Sequence, residues 1–352
     1  GYNALCTANL PSPSIADPTA HFNANLWTGT GGARSLTGLG FQPDFTWIKS
    51  RSNTYQHMLF DSVRGATKYL VSDATDAQAT DATQLTAFDS DGFSLGSGTV
   101  VNGTGATFVG WNWKAGGAAV SNTDGSITSS VSVNTTAGFS VVKYSGVDTP
   151  ATNTVGHGLS VAPELYIIKS IDAVSPQGWV VNTTVIDDTV DYMFLNTTDA
   201  AANQGSPWST APTASVFTLG ANDGNTCNDG VDYVAYCFHS VDGYSKVGSF
   251  KGQGNADGPF IYTGFRPAWV FIKKSSASGD DWYQFDNKRE TYNPVDQRLA
   301  LNGTQAQGSG NPIDFLSNGI KIRDSATSFN GSNTTMIYMA FAESPFKTSN
   351  AR

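Results

Sequence analysis

Three short runs decide the fold of this chain: PDFTWIK at 43–49, PELYIIK at 163–169 and PAWVFIK at 267–273. Each is a proline followed by apolar and aromatic residues ending in Lys, flanked by Gly and Ser. Such a run is too short for a helix and is the pattern of a buried strand. Proline is expected at the strand entrance, where a missing N–H costs no ladder bond. Working outward, an aromatic-x-Gly strand end (Trp27-Thr28-Gly29, Tyr144-Ser145-Gly146, Phe250-Lys251-Gly252) precedes each proline by 16, 19 and 17 residues. A second strand follows an Asn-containing turn: NGTGATFVGWNW from Asn102, NDGVDYVAYCF from Asn228 and NGSNTTMIYMAF from Asn330. Its last aromatic falls 70, 75 and 74 residues after the proline. Three anchors in register make an internal repeat.

The closing strands alternate large and small residues: Val109, Trp111 and Trp113 oppose Phe108, Gly110 and Asn112, with matching sets at 233–238 and 336–341. A wide core on one face and a close neighbour on the other is the implied surrounding. Asp91-Gly92, Asp223-Gly224, Asp229-Gly230 and Asn318-Gly319 supply reversals. The expected fold is all-β, three tandem β-sandwich-like repeats at 22–114, 139–241 and 247–346. Residues 1–21 read as a lead-in, 115–138 as an extended linker and 347–352 as a tail. The Ala/Thr-rich stretch 74–87 lacks an apolar stripe and reads as loop.

The 352 residues carry 20 Lys and Arg against 29 Asp and Glu, a net charge of −9, with the basic residues scattered. That argues against nucleic acid as a partner. Only 14% of residues are charged, against roughly 25% in ordinary soluble domains, as in neutral, turn-rich β proteins. Cys6, Cys227 and Cys237 have no metal-site spacing to the four histidines, so neither zinc nor a disulfide framework is expected; Cys237 reads as a small buried hydrophobe. No run approaches a membrane span and no basic-then-apolar leader opens the chain, so membrane insertion is not expected. It begins at Gly1 rather than Met, as a piece of a longer protein would.

No catalytic constellation is legible, and no cofactor is expected. Asp61 with Arg64, and Asp286 with Arg289, form an acid–base recurrence just after a strand; unit 2 offers Asn182 there and no arginine. A structural ion pair is favoured over a catalytic one. The acidic loops 89–92 and 222–232 resemble calcium loops without the terminal Glu and read as turns. Seven Asn-x-Ser/Thr sequons, at Asn102, Asn134, Asn182, Asn196, Asn302, Asn330 and Asn333, are attributed to chance in an Asn/Thr-rich chain. Most tryptophans lie in core strands; Trp208 and Trp282 are the candidate ligand residues. Recognition is expected on loops 175–179, 202–213 and 275–282 rather than in a pocket.

Longer strings carry a resemblance: KVGSFKGQGNADGPFIYTGFRPAWVFIKK, FDNKRETYNPVDQRL, IDFLSNGIKIR and IYMAFAESPFK in the third unit, HGLSVAPELYIIK and DYVAYCFHSVDGYSKVG in the second, and GLGFQPDFTWIKSR and DSDGFSLGSG in the first. With them the chain resembles repeat-containing virion proteins of tailed, especially marine, bacteriophages. Even ALCTANLPSPSIADP is similar to that family's joint between an upstream lectin-like sandwich and these repeats. The resemblance implies a non-enzymatic structural protein on the particle exterior, in a tail fibre or adsorption apparatus. Its partners would be other virion proteins, further copies of itself and a host surface glycan or receptor. The alternatives are a capsid-decorating or cement protein and a carbohydrate-binding module array. A homo-oligomer, with a trimer favoured for a fibre and some interface burying aromatics left over from the cores, is the expected assembly, its number not fixed by the sequence.

Overall fold

The computed structural model describes residues 9–147, 152–172, 177–203, 210–220 and 223–349. The chain is all-β; its helical turns among the described residues are a 3-10 turn at Pro18–Ala20 and two α-helical turns, α1 (Thr99–Asn102) and α2 (Thr327–Asn330).

In unit 1 the large sheet has the order β1-β9-β3-β4-β5-β6, from β1 (Phe22–Thr28), β3 (Phe45–Ser50), β4 (Met58–Asp61), β5 (Lys68–Val71), β6 (Ala79–Thr80) and β9 (Thr107–Trp113). A small sheet of β2 (Arg34–Thr37), β8 (Gly92–Leu95) and β7 (Leu85–Asp89) lies against it. Unit 2 repeats the pattern with β12 (Phe139–Ser145), β19 (Asp232–Phe238), β14 (Leu165–Ser170), β15 (Val180–Thr183), β16 (Asp191–Phe194) and β17 (Ala202–Asn203), and a small pair of β13 (Asn153–Gly156) and β18 (Val216–Leu219). Unit 3 repeats it with β20 (Ser245–Lys251), β27 (Thr335–Pro345), β22 (Phe265–Lys274), β23 (Tyr283–Asp286) and β24 (Leu299–Ala300), and a small sheet of β21 (Phe260–Tyr262), β26 (Gly319–Ile322) and β25 (Ile313–Leu316). In every unit the closing strand lies between the opening strand and the proline-led run, all antiparallel.

Two sequence expectations are corrected. The stretch 115–138 is not an extended linker: β10 (Val120–Asn122) and β11 (Ser129–Asn134) add two strands to the edge of the unit 2 sheet. The stretch 74–87 contains β6 and the start of β7, strands too short to show a period. Pro43 and Pro163 precede their strands, whereas Pro267 lies inside β22 at a register shift, where a bulge tolerates the missing N–H.

The aromatic-x-Gly motif has a steric cause. A Cβ on Gly29, Gly146 or Gly252 would stand 2.1, 2.2 or 2.2 Å from a backbone oxygen of the Asn turn before the closing strand. Only glycine admits that approach. The preceding aromatic caps the same turn in two units, Trp27 Nε1 donating to Val101 O at 3.0 Å and Tyr144 Oη to Thr226 O at 2.7 Å.

The alternation along the closing strands sorts side chains into two kinds of core. The small-face residues pack under each unit's own small sheet, Phe108 with Leu36 and Phe93, Ala235 and Cys237 with Val155 and Phe217, and Ala340 with Ile261 and Ile320. The large-face residues Trp111, Trp113, Tyr236, Phe238, Met339 and Phe341 all enter one further core shared by the three units. There Phe45 stacks on Tyr236 at 4.3 Å, Trp113 meets Trp269 edge-on at 5.6 Å, and Phe238 meets Phe341 at 6.0 Å. The large faces of the closing strands are thus buried inside one chain, while Phe260, Tyr262 and Tyr292 stay exposed. Because each large sheet completes its burial only on the other two, calorimetry is expected to show one unfolding transition with equal calorimetric and van't Hoff enthalpies. Three resolved transitions would mean that the shared core is energetically minor.

Candidate functional site

The residues singled out for chemistry converge on the joints between units. Three joints form a closed cycle, unit 1 on unit 3, unit 2 on unit 1 and unit 3 on unit 2, and equivalent residues build each. The lysine ending the proline-led run is fully buried and reaches the neighbour: Lys49 Nζ donates to Thr304 O at 3.1 Å, Lys169 to Thr75 O at 3.0 Å and Lys273 to Thr198 O at 3.2 Å. Two residues further on, the backbone carbonyls of Arg51, Ile171 and Ser275 accept from the N–H of Gln307, Gln78 and Ala201 at 2.8, 3.0 and 2.8 Å. The residue before the fourth core strand adds a ring N–H. Trp179 Nε1 donates to Val71 O at 2.8 Å, Trp282 Nε1 to Phe194 O at 3.2 Å, and His57 Nε2 to Ala300 O at 2.9 Å. His57 is held in the tautomer that requires, since its Nδ1 accepts from Trp47 Nε1 at 2.8 Å.

Trp282, expected on a ligand-facing loop, is therefore completely buried in the joint with unit 2, and Gly279 of its loop donates to Thr198 O. The sequence misled because a Gly/Ser-rich loop can dock as well as display. Trp179, at the end of the expected loop 175–179, is buried in the equivalent place. Trp208 and much of the loop 202–213 lie outside the described residues, as does Cys6. Cys227 and Cys237 are free and buried in the unit 2 core, as expected for Cys237.

Four of the sequon asparagines prove to have a structural use here. Asn196 Oδ1 accepts the N–H of Trp179 at 2.8 Å, and Asn302 Oδ1 that of Trp282 at 3.0 Å. The threonine two residues after each supplies the carbonyl that receives a lysine. In unit 1 Asp73 and Thr75 do the same without forming a sequon, Asp73 Oδ1 accepting from His57 N at 3.1 Å. Asn102 and Asn330 are fully buried and hold their turns. Asp91 clamps a turn too, its carboxylate accepting from Gly38 N and Gly40 N at 3.0 and 2.6 Å.

Both acid–base recurrences are buried ion pairs. Asp61 binds Arg64 and accepts from Tyr236 Oη of unit 2 at 2.8 Å; Asp286 binds Arg289 and accepts from Trp111 Nε1 of unit 1 at 3.1 Å. Gln78 and Gln307 accept from the two guanidiniums at 3.4 Å. The unit 2 position opposite Leu165 is Thr183, not Asn182. At the third joint the whole network is exchanged together: Thr183, Ile186, Ala201 and Met339 stand where the others carry Asp, Arg, Gln and Trp or Tyr. Ile186 and Ala201 pack against the shared core and Met339 lies in it. A half-made buried network is costlier than none, which accounts for the joint exchange.

Burial lowers the ammonium pKa of Lys49, Lys169 and Lys273 to about 8 in each case. Burial likewise lowers His57 well below its ordinary value and raises Asp191 to about 6. Among the described residues no three His, Cys, Asp or Glu side chains group to hold a metal ion, and no helix is long and apolar enough to cross a membrane.

Two outcomes are expected. Between pH 8 and the ordinary lysine pKa of 10.5 the unfolded chain holds more protons on these lysines than the folded one, so the urea midpoint should climb from pH 8 to 9.5. Above pH 10 the trend should reverse, because burial raises Tyr233 and Tyr338 to about 12 and only the unfolded chain releases those protons. Replacing all three lysines by Met should flatten the climb, and a slope that persists in the variant rejects this cause. Separately, Thr183→Asp alone should cost about 3–5 kcal/mol by burying an unpaired charge. Adding Ile186→Arg, Ala201→Gln and Met339→Trp should recover more than half of it in chemical denaturation.

No curated protein and no solved structure matches the chain. One family model does, that of a domain of unknown function, DUF7483, across residues 17–345. The match runs through all three units and all three joints. The chain belongs to the DUF7483 family.

Proposed function

We propose that the chain is a structural component of a bacteriophage particle, a tail-fibre or adsorption-apparatus body displayed on the exterior. Support comes from the strings quoted above, which resemble virion repeat proteins. The observation that carries the reading is where the reactive-looking side chains go. Asp61, Arg64, Asp286, Arg289, the three joint lysines and Trp282 are all engaged in holding units to one another. A chain that commits its charges and indoles to internal joints makes a stiff body from which edges and loops project, which is what an attachment appendage requires. Host contact would then be made by surface features of that body, and not by a catalytic centre.

Gold-labelled antibodies against the protein, imaged on intact particles, test this. Label confined to the tail or its fibres is the expected result. Label spread over the head would move the chain to capsid decoration, and particles free of label and of the protein by mass spectrometry would overturn a virion role.

A further inference from the structure

We infer that the small sheet of unit 3 carries a binding face for neutral saccharides, built from the exposed rings of Phe260 and Tyr262 and the groove beside Tyr262 where Asp242 and Lys347 stand. The inference deepens the host-facing reading by naming a ligand class. Among the described residues the exposed aromatic rings are Phe260, Tyr262 and Tyr292, at 47%, 62% and 73%, and all belong to unit 3. Phe260 and Tyr262 flank buried Ile261 on β21, so they project from the same outward face about 6.8 Å apart. The Phe260 ring lies against Gly319 of the neighbouring strand, where a Cβ would come within 2.7 Å of it.

The other two units show that the fold does not ask for these rings. Leu36, Val155 and Ile261 are equivalent, each buried in its unit's own core and paired with Phe93, Phe217 and Ile320. The residues beside them are Ser35 and Thr37, both exposed, in unit 1, and Thr154 and Gly156 in unit 2, where Ser126 bonds to Thr154 and Asn122 lies against Gly156. Only unit 3 places aromatics there. Large rings left 47% and 62% in water beside one another mark a contact surface.

The groove adjoining Tyr262 encloses about 120 Å³. Over Gly264 the Tyr262 hydroxyl and an Asp242 carboxylate oxygen converge, lying 3.7 and 3.8 Å from where a Cβ would stand. Lys347 lines the same groove and donates to Leu10 O at 2.9 Å and Ser12 Oγ at 3.3 Å. Its ammonium carries three donors in all. A pyranose has flat C–H faces, which stack on aromatic rings, and a rim of hydroxyls, each needing both an acceptor and a donor. Carboxylate, phenol and ammonium beside two rings meet both demands. The net charge of −9 and the Asp242 carboxylate disfavour a polyanion, which sets the class as neutral.

The test is affinity electrophoresis of the isolated protein in native gels containing dextran, laminarin, galactomannan or arabinogalactan, with alginate as the charged control. Retardation is expected in at least one neutral gel, with at least a tenfold loss of apparent affinity in Phe260→Ala/Tyr262→Ala and a smaller loss in Asp242→Asn. Because these side chains are exposed, the melting temperature of each variant should stay at the parent value. A variant that fails to keep it is replaced by Tyr262→Thr, the residue at that position in unit 1. No retardation in the four neutral gels, retardation unchanged in the double variant, or retardation in alginate alone would each overturn the inference. So would a change in sedimentation coefficient on making the double variant, which would mark the face as a contact between copies. Since the gels contain no particles, failure here is distinguishable from failure of the labelling experiment.

Discussion

The structure depends on the three closing strands being apolar on both faces. β9, β19 and β27 each bury their small side chains against a sheet of their own unit, and each then presents a second apolar surface that no residue of that unit can cover. An exposed face of that size is not stable in water, and the remedy here is mutual. Three such faces, brought together in one chain, close on a common aromatic core. The family match, 17–345, spans all the residues of the closing strands that meet in this core.

Enclosing that core brings polar groups inside, and their treatment explains the repeated motif. A lysine at the end of the proline-led run cannot reach water, so its ammonium is met by carbonyls: Lys49 by Ser50, Asn53 and Thr304, and Lys273 by Asp280 and Thr198. Carbonyls solvate the charge less well than water does, which is why the ammonium pKa falls. The geometric return is specificity, since each lysine fits only where a neighbouring turn directs a threonine carbonyl at it. The same logic governs the ring N–H donors of His57, Trp179 and Trp282, an imidazole and two indoles performing one task at one position.

Much of this was legible in the sequence, and the limits have physical causes. The three repeats, the buried proline-led strands and the two faces of the closing strand follow from period-two alternation, which is a local signal. What the large face packs against is not local: Trp111 and Tyr236 meet carboxylates 175 residues away in sequence. Nothing in the pattern separates a face covered within its own unit from one covered by a later unit. The surroundings of Trp282 were hidden because its environment is made by Phe194, 88 residues before it. A usable signal did exist in the recurrence of Asp or Asn, any residue, then Thr at 73–75, 196–198 and 302–304, which glycosylation vocabulary disguised as chance sequons.

The differences among the joints bear on how three similar units find one arrangement. If all joints were alike, units 1, 2 and 3 could close in either cyclic order with the same contacts. Two joints carry a buried acid–Arg pair that requires an N–H or O–H from the facing strand, and one offers only Ile186, Ala201 and Met339. In the reversed order Met339 would face Asp61 and Arg64, leaving a buried carboxylate short of a donor, while the Trp111 indole would face the apolar groups of unit 2. Each such orphan costs about 1–3 kcal/mol, and more where a charge is involved. Buried polar groups are often no net gain in stability, so their retention at two joints and complete removal at the third fits a role in discrimination. The repeat thus supplies the common core, and the exceptions to the repeat supply the order in which the units close around it.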